Sequence, residues 1–256
     1  MHLLKAERLT HRFGGLTALS DFRLSLERGE LVGLIGPNGA GKTTVFNLIT
    51  GVHPPSEGSI LFEGKEITGK LPNRITAMGI ARTFQNIRLF RDLTVLDNVR
   101  TAFYAQVEYG AVEGLFRFGR FSREEERIAR RAMVLLDAFG LREWADVQAK
   151  NLPYGLQRRL EIARALATGP RLLLLDEPAA GMNPNEILLL MDFIRWIRKE
   201  FDLTILLIEH QMPLVMGICE RIVVLDFGAT IAEGTPKEIQ KHPRVLEAYL
   251  GDETKP

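Results

Sequence analysis

Leu31-Val32-Gly33-Leu34-Ile35-Gly36-Pro37-Asn38-Gly39-Ala40-Gly41-Lys42-Thr43-Thr44 decides how this chain is read. Residues 31–35 form a continuous apolar run of strand length, as expected in a sheet covered on both faces. Residues 36–43 match the phosphate-binding loop pattern Gly-x-x-x-x-Gly-Lys-Thr in full. Glycines let backbone N–H groups turn inward and wrap phosphates. A helical stretch follows from Thr43 to Thr50, stopped by Gly51, and its positive end points at the same phosphates. In this pattern Lys42 reaches the β- and γ-phosphates and the Thr43 hydroxyl holds Mg²⁺, with Thr44 beside it in the nucleotide-binding set.

A second stretch strengthens the first. Leu172-Leu173-Leu174-Leu175-Asp176-Glu177 is a buried-strand run that ends in two carboxylates. Strand tips of open parallel sheets are where ligands bind. Asp176 is placed to bind Mg²⁺, directly or through water, and Glu177 to polarise an attacking water as general base. Many strands end in acids, so the run carries weight only beside the upstream loop. The two together do not separate kinase, GTPase and transport ATPase.

Around these stretches the chain alternates. Residues 21–26 read as a half-buried strand and residues 58–67 as a hairpin around Glu63-Gly64. The middle reads as helix, with capping boxes expected at Thr94–Asp97 and Ser122–Glu125. Residues 105–121 read as a loop or insertion. From Arg171 strands return at 172–175, 203–208, 222–225 and 229–232, with a helix near 185–200 and another opening at Pro236. The order α/β, helical, α/β predicts one sheet-based core with a helical subdomain inserted in it.

Composition narrows the function classes. Among 256 residues the hydrophobic share is 46% and the charged share 25%, ordinary for a globular chain. The formal net charge of +1 gives no strong field for nucleic acid or anionic lipid, so no nucleic-acid partner is expected. The single cysteine, Cys219, excludes an intrachain disulfide, and its apolar neighbours predict a buried, inert thiol. The N-terminus lacks the apolar core of a secretory signal, and no apolar run is long enough to cross a bilayer. Work at a membrane would go through a partner.

Asn151-Leu152-Pro153-Tyr154-Gly155-Leu156-Gln157-Arg158-Arg159-Leu160-Glu161-Ile162-Ala163-Arg164-Ala165-Leu166 separates the classes. Here the chain resembles the ABC ATPases, whose signature reads Leu-Ser-Gly-Gly-Gln before a basic helix ending Ala-Arg-Ala-Leu. Leu152, Gly155 and Arg159 to Leu166 match. Pro153 replaces the serine, Tyr154 the first glycine and Leu156 the glutamine. Proline has neither hydroxyl nor N–H, which leaves Gly155 and the helix N-terminus as donors. The resemblance assigns further roles. Phe13 is the aromatic that stacks on adenine, Gln85 the glutamine that senses Mg²⁺, and His210 the histidine that contacts the γ-phosphate. Ala180-Gly181-Met182-Asn183 matches the loop that couples the two sites, with Asn183 in place of aspartate.

Arg82-Thr83-Phe84-Gln85, Arg88-Leu89-Phe90, Glu177 to Pro184, Ile208-Glu209-His210 and Ala248-Tyr249-Leu250-Gly251 are similar to one subgroup, the ATP-binding subunits of branched-chain amino acid importers. Urea or amide importers and the ATPase of lipopolysaccharide export are close relatives of that subgroup. ABC ATPases that act on ribosomes or DNA are a rival from another class; this chain has one phosphate-binding loop and no heptad run. The resemblance implies a RecA-like α/β P-loop ATPase core, an antiparallel β region near the N-terminus and a helical subdomain over roughly 86–165. It also implies that two ATPase subunits, sister or identical chains, sandwich two ATP molecules. Each site then combines the phosphate-binding loop of one chain with residues 152–156 of the other. Two transmembrane permeases, a periplasmic binding protein reached indirectly, and a seat on the cytoplasmic face of the membrane complete the expectation.

Overall fold

Every residue of Leu31–Ile35, Leu172–Asp176 and Thr204–Ile208 is buried, the burial that continuous apolar runs demand. The computed structural model describes residues 2–104 and 120–250. The chain divides into two units, Met1–Gln85 with Arg171–Pro256, and Asn86–Pro170.

The first unit opens with β1 (Leu4–Phe13), β2 (Leu16–Leu26) and β3 (Leu31–Ile35), then α1 (Lys42–Ile49). β4 (Glu57–Phe62) and β5 (Lys65–Glu66) form the expected hairpin, with Glu63 at φ 50° and Gly64 at φ 74° in its turn. α2 (Pro72–Ala77) and β6 (Ile80–Arg82) follow. The strand expected over 21–26 is longer, because it pairs along β1 from Leu16 onward. β2, β1, β4 and β5 make an antiparallel sheet in that order.

The second unit is helical, with α3 (Val95–Phe103), α4 (Arg120–Ala138) and α5 (Tyr154–Leu166). α3 packs on α4 and α5. Thr94 caps α3 as its sequence predicts, its hydroxyl accepting from the Asp97 N–H at 3.0 Å. Ser122 does not start a helix. It lies inside α4, which already includes Arg120 and Phe121, so the Ser-x-x-Glu match is part of a longer amphipathic helix. Residues 105–119 of the expected insertion lie outside the described residues. Ile128, Ala132, Leu136 and Phe139 are buried at helical spacing, and Gly140 at φ 65° ends the run.

Back in the first unit come β7 (Leu172–Asp176), α6 (Pro184–Glu200), β8 (Thr204–Ile208) and α7 (Met212–Ile218). β9 (Arg221–Asp226), β10 (Ala229–Gly234), α8 (Pro236–Ile239) and α9 (Pro243–Leu250) close the chain. The large sheet runs β10-β9-β3-β8-β7-β6. All its pairings are parallel except β10 with β9. Cys219 is buried behind β3, its Sγ 3.0 Å from where a Gly33 side chain would begin. Burial pushes its thiol up to about 12, so the thiol is inert as expected.

Candidate nucleotide site

Four neighbouring parallel strands carry the polar groups of the site at their C-terminal ends. β3 runs into Gly36, β8 into Glu209 and His210, β7 into Asp176 and Glu177, and β6 through Thr83 and Phe84 into Gln85. The register sets the tips level, since Leu34 and Asp176 both pair with Ile208. This is the edge where open parallel sheets bind ligands.

The loop from Gly36 to Thr43 has glycine where nothing larger fits. At Gly36, φ is 151° and an added Cβ would lie 2.0 Å from the Leu225 carbonyl oxygen. At Gly41, the N-cap of α1, φ is 102° and a Cβ would lie 2.7 Å from the Ala18 carbonyl oxygen. Gly39 has φ 80°, and Ala40 is buried with its N–H on the Pro37 carbonyl at 3.2 Å. The Lys42 ammonium donates to the carbonyls of Gly36 at 2.6 Å and Pro37 at 2.8 Å. Burial holds its pKa below the usual lysine value, against the opposing pull of the Glu177 and Asp176 carboxylates. Thr43 is exposed and Thr44 half-buried on the first turn of α1.

Glu177 sits at φ 45°, a left-handed conformation that non-glycine residues seldom adopt. Strain of this kind persists where surroundings over-determine it, and it gathers at functional sites. Here the Glu177 N–H donates to the Ile208 carbonyl at 2.9 Å and its carbonyl accepts the Ala180 N–H at 3.2 Å. The carboxylate Oε2 accepts Gln85 Nε2 at 2.7 Å and lies 3.7 Å from His210 Nδ1. Residues 36–38, Gln85, Glu177, His210 and Tyr249 line a cavity of about 430 Å³. The structure thus brings together Lys42, Gln85, Asp176, Glu177 and His210, which the sequence placed on separate stretches.

Phe13 lies on the antiparallel sheet and is 46% exposed. Its ring meets His11 edge-on at 4.4 Å and His53 at 5.5 Å, which leaves part of the ring open to solvent.

Two partners escaped the sequence reading. Arg82 donates to Asp176 Oδ2 at 2.7 Å and to Asn47 Oδ1 at 2.7 Å, packed against the rings of Phe46 and Phe84. Glu209 is fully buried. Its carboxylate accepts the N–H groups of Ala179 at 2.7 Å, His210 at 3.0 Å and Gln211 at 3.2 Å. One acid therefore ties the loop after Glu177 to the loop that carries His210.

In the helical unit, Leu152 is buried, and Pro153 is the N-cap of α5 without a side-chain cap. Its carbonyl accepts the N–H groups of Leu156 and Gln157, both at 3.0 Å. Gly155 precedes those bonds in the first turn, where helices present N–H groups outward. A Cβ at Gly155 would meet nothing within 4 Å. Tyr154 is half-exposed, and its hydroxyl accepts from Arg158 at 3.1 Å. Leu156 is half-buried.

A family model described as ABC transporter matches residues 19–180, more than half of the chain. A second, described as branched-chain amino acid ATP-binding cassette transporter, matches residues 229–255. The chain is 48% identical over 250 residues to the high-affinity branched-chain amino acid transport ATP-binding protein LivG of Escherichia coli, covering 98% of both chains. It is 46% identical to BraF of Pseudomonas aeruginosa, a protein of the same description, again over 98% of both. Its backbone matches the crystal structure of the ADP conformation of MJ1267, an ATP-binding cassette of an ABC transporter. The TM-score is 0.85 at 32% identity, over 98% of this chain and 99% of that one. The four strand tips, the glycine loop and these matches agree: the chain belongs to the ABC transporter family, as an ATP-binding, ATP-hydrolysing cassette.

Proposed function

We propose that this chain is the subunit that hydrolyses ATP to energise import of branched-chain amino acids, leucine, isoleucine and valine. The observation that carries the chemistry is the convergence of Gln85, Glu177 and His210 on one cavity beside residues 36–38. The solute class rests on likeness to LivG and BraF and on the match at the C-terminus.

Residues 36–43 wrap the phosphates with backbone N–H groups, Lys42 meets the β- and γ-phosphates, and Phe13 stacks on the base. Glu177 takes the proton of the attacking water. Its carboxylate is already oriented by Gln85, and His210 stands on the same oxygen to contact the γ-phosphate. Mg²⁺ fits the donor set, because Thr43, Gln85 and Asp176 supply hard oxygens. Arg82 occupies one oxygen of Asp176, which would leave the other to hold the ion, directly or through water. Among the described residues no group of three or more His, Cys, Asp and Glu is placed to hold a metal ion. When bound, Mg²⁺ neutralises phosphate charge.

The whole chain, 1–256, is read as one ATPase domain with the helical part inserted over roughly 86–165. It works as a pair with a second ATPase subunit. Leu152, Pro153, Tyr154, Gly155 and Leu156 face the nucleotide of that partner, with Gly155 as the principal backbone donor. Two membrane permeases receive the motion through the segment after Gln85, where Phe90 is half-exposed under the Arg164 guanidinium. No helix among the described residues is long and apolar enough to cross a membrane. The seat at the cytoplasmic face, through the permeases, rests on likeness to LivG and BraF.

Glu177→Gln tests the chemistry. ATP binding should persist while turnover falls by about 10²–10⁴-fold, the usual worth of a positioned base. Normal turnover in that variant would remove Glu177 from the role.

A further inference from the structure

One wall of the hydrolytic cavity comes from a part of the chain that the mechanism leaves idle. α9 runs along the phosphate-binding loop, with Arg244, Glu247 and Ala248 lining a hollow together with residues 37–40. The next residue, Tyr249, enters the cavity that holds Gln85, Glu177 and His210.

The Tyr249 hydroxyl is buried, and no hydrogen bond of normal geometry reaches it among the described residues. It lies against the Gly36 backbone N–H. Burial raises its pKa, and that N–H opposes the rise. A buried hydroxyl without a partner costs stability and calls for an explanation. Gly36 is also the residue whose carbonyl accepts the Lys42 ammonium, and the Leu225 carbonyl leaves it no room for a side chain. Tyr249 and Lys42 therefore meet the two peptide groups that flank the Gly36 Cα, at the point where the loop leaves β3.

We propose that Tyr249 is a positioning residue for ATP hydrolysis. Its hydroxyl, unpaired here beside Gly36, takes up the Gly36 N–H when nucleotide closes the phosphate-binding loop, so that Lys42 and the γ-phosphate line up with Glu177 only when α9 is seated. The C-terminal segment becomes a fifth wall of the pocket, and its docking conditions turnover. This rests on the reading of Glu177 as base.

Tyr249→Phe in the full chain removes only the hydroxyl. Steady-state hydrolysis should show kcat reduced about three- to ten-fold, the worth of one hydrogen bond, with KM for ATP changed less than about two-fold. A residue that merely holds the fold would lower thermal stability and leave kcat unchanged. Hydrogen exchange of the amides in 243–250, measured on the unsubstituted chain, supplies a second reading. A non-hydrolysable ATP analogue should slow it by at least about three-fold, the protection expected if one further hydrogen bond holds the helix. An unchanged kcat in Tyr249→Phe, or exchange in 243–250 indifferent to the analogue, each overturns the proposal. Glu177→Gln separates the two readings, since it abolishes turnover whether or not Tyr249 matters.

Discussion

Each unit of this chain buries an arginine against a carboxylate, and the two pairs do different work. In the helical unit, Arg158 and Glu161 sit one turn apart on α5, 2.9 Å from each other, with side chains 2% and 3% exposed. The other oxygen of Glu161 accepts the Arg88 N–H at 3.1 Å, and the Arg164 guanidinium donates to the Arg88 carbonyl. The pair therefore pins an irregular segment to a helix. In the sheet unit, Arg82 and Asp176 are 94 residues apart in sequence and 2.7 Å apart in space, 7% and 6% exposed. That pair joins the tips of β6 and β7 and reaches α1 through Asn47. The first pair stiffens structure. The second holds the Asp176 carboxylate at the strand tips that carry the candidate nucleotide site.

The difference can be broken by substitution. Glu161→Ala leaves Arg158 charged and buried without its carboxylate, a change that costs about 3–5 kcal/mol. Thermal or denaturant unfolding should register this loss, while the folded fraction keeps its turnover per molecule. Arg82→Met should cost less, about 1.5–3 kcal/mol, because Lys42 remains near to balance Asp176. Its hydrolysis should fall more than its stability does, read as kcat on fully folded protein. If Arg82→Met lowers stability alone, the two pairs are of one kind and the comparison fails. Phe13→Ala should have the smallest effect. It should weaken nucleotide affinity by about 1 kcal/mol, the low end of stacking on a base, since the ring is half-exposed. Titration with a fluorescent nucleotide measures it, and unchanged affinity would remove Phe13 from the base site.

The same contrast explains what was legible in the sequence. The loop from Gly36 to Thr43 could be read because each position answers a local demand: a backbone that turns inward, a cation, a hydroxyl. β3, β7 and β8 could be read because strands covered on both faces leave unbroken apolar runs. Pairings at long range left no such trace. Nothing near Arg82 names Asp176, and nothing near Glu209 names the Ala179 N–H. Tyr249 belongs to a C-terminal pattern that the sequence carries, but its place beside Gly36 depends on the path of α9. Ser122 misled for the opposite reason. A capping pattern is satisfied by any serine three residues before a glutamate, including one inside a helix.

The central claim, that this chain turns ATP hydrolysis into branched-chain amino acid import, meets its most direct test in uptake of labelled leucine by cells lacking the chain. Supplying the full chain should restore ATP-dependent uptake, and supplying Lys42→Ala or Glu177→Gln at equal abundance should not. Uptake unchanged by loss of the chain, or restored equally by the Glu177→Gln form, would contradict it.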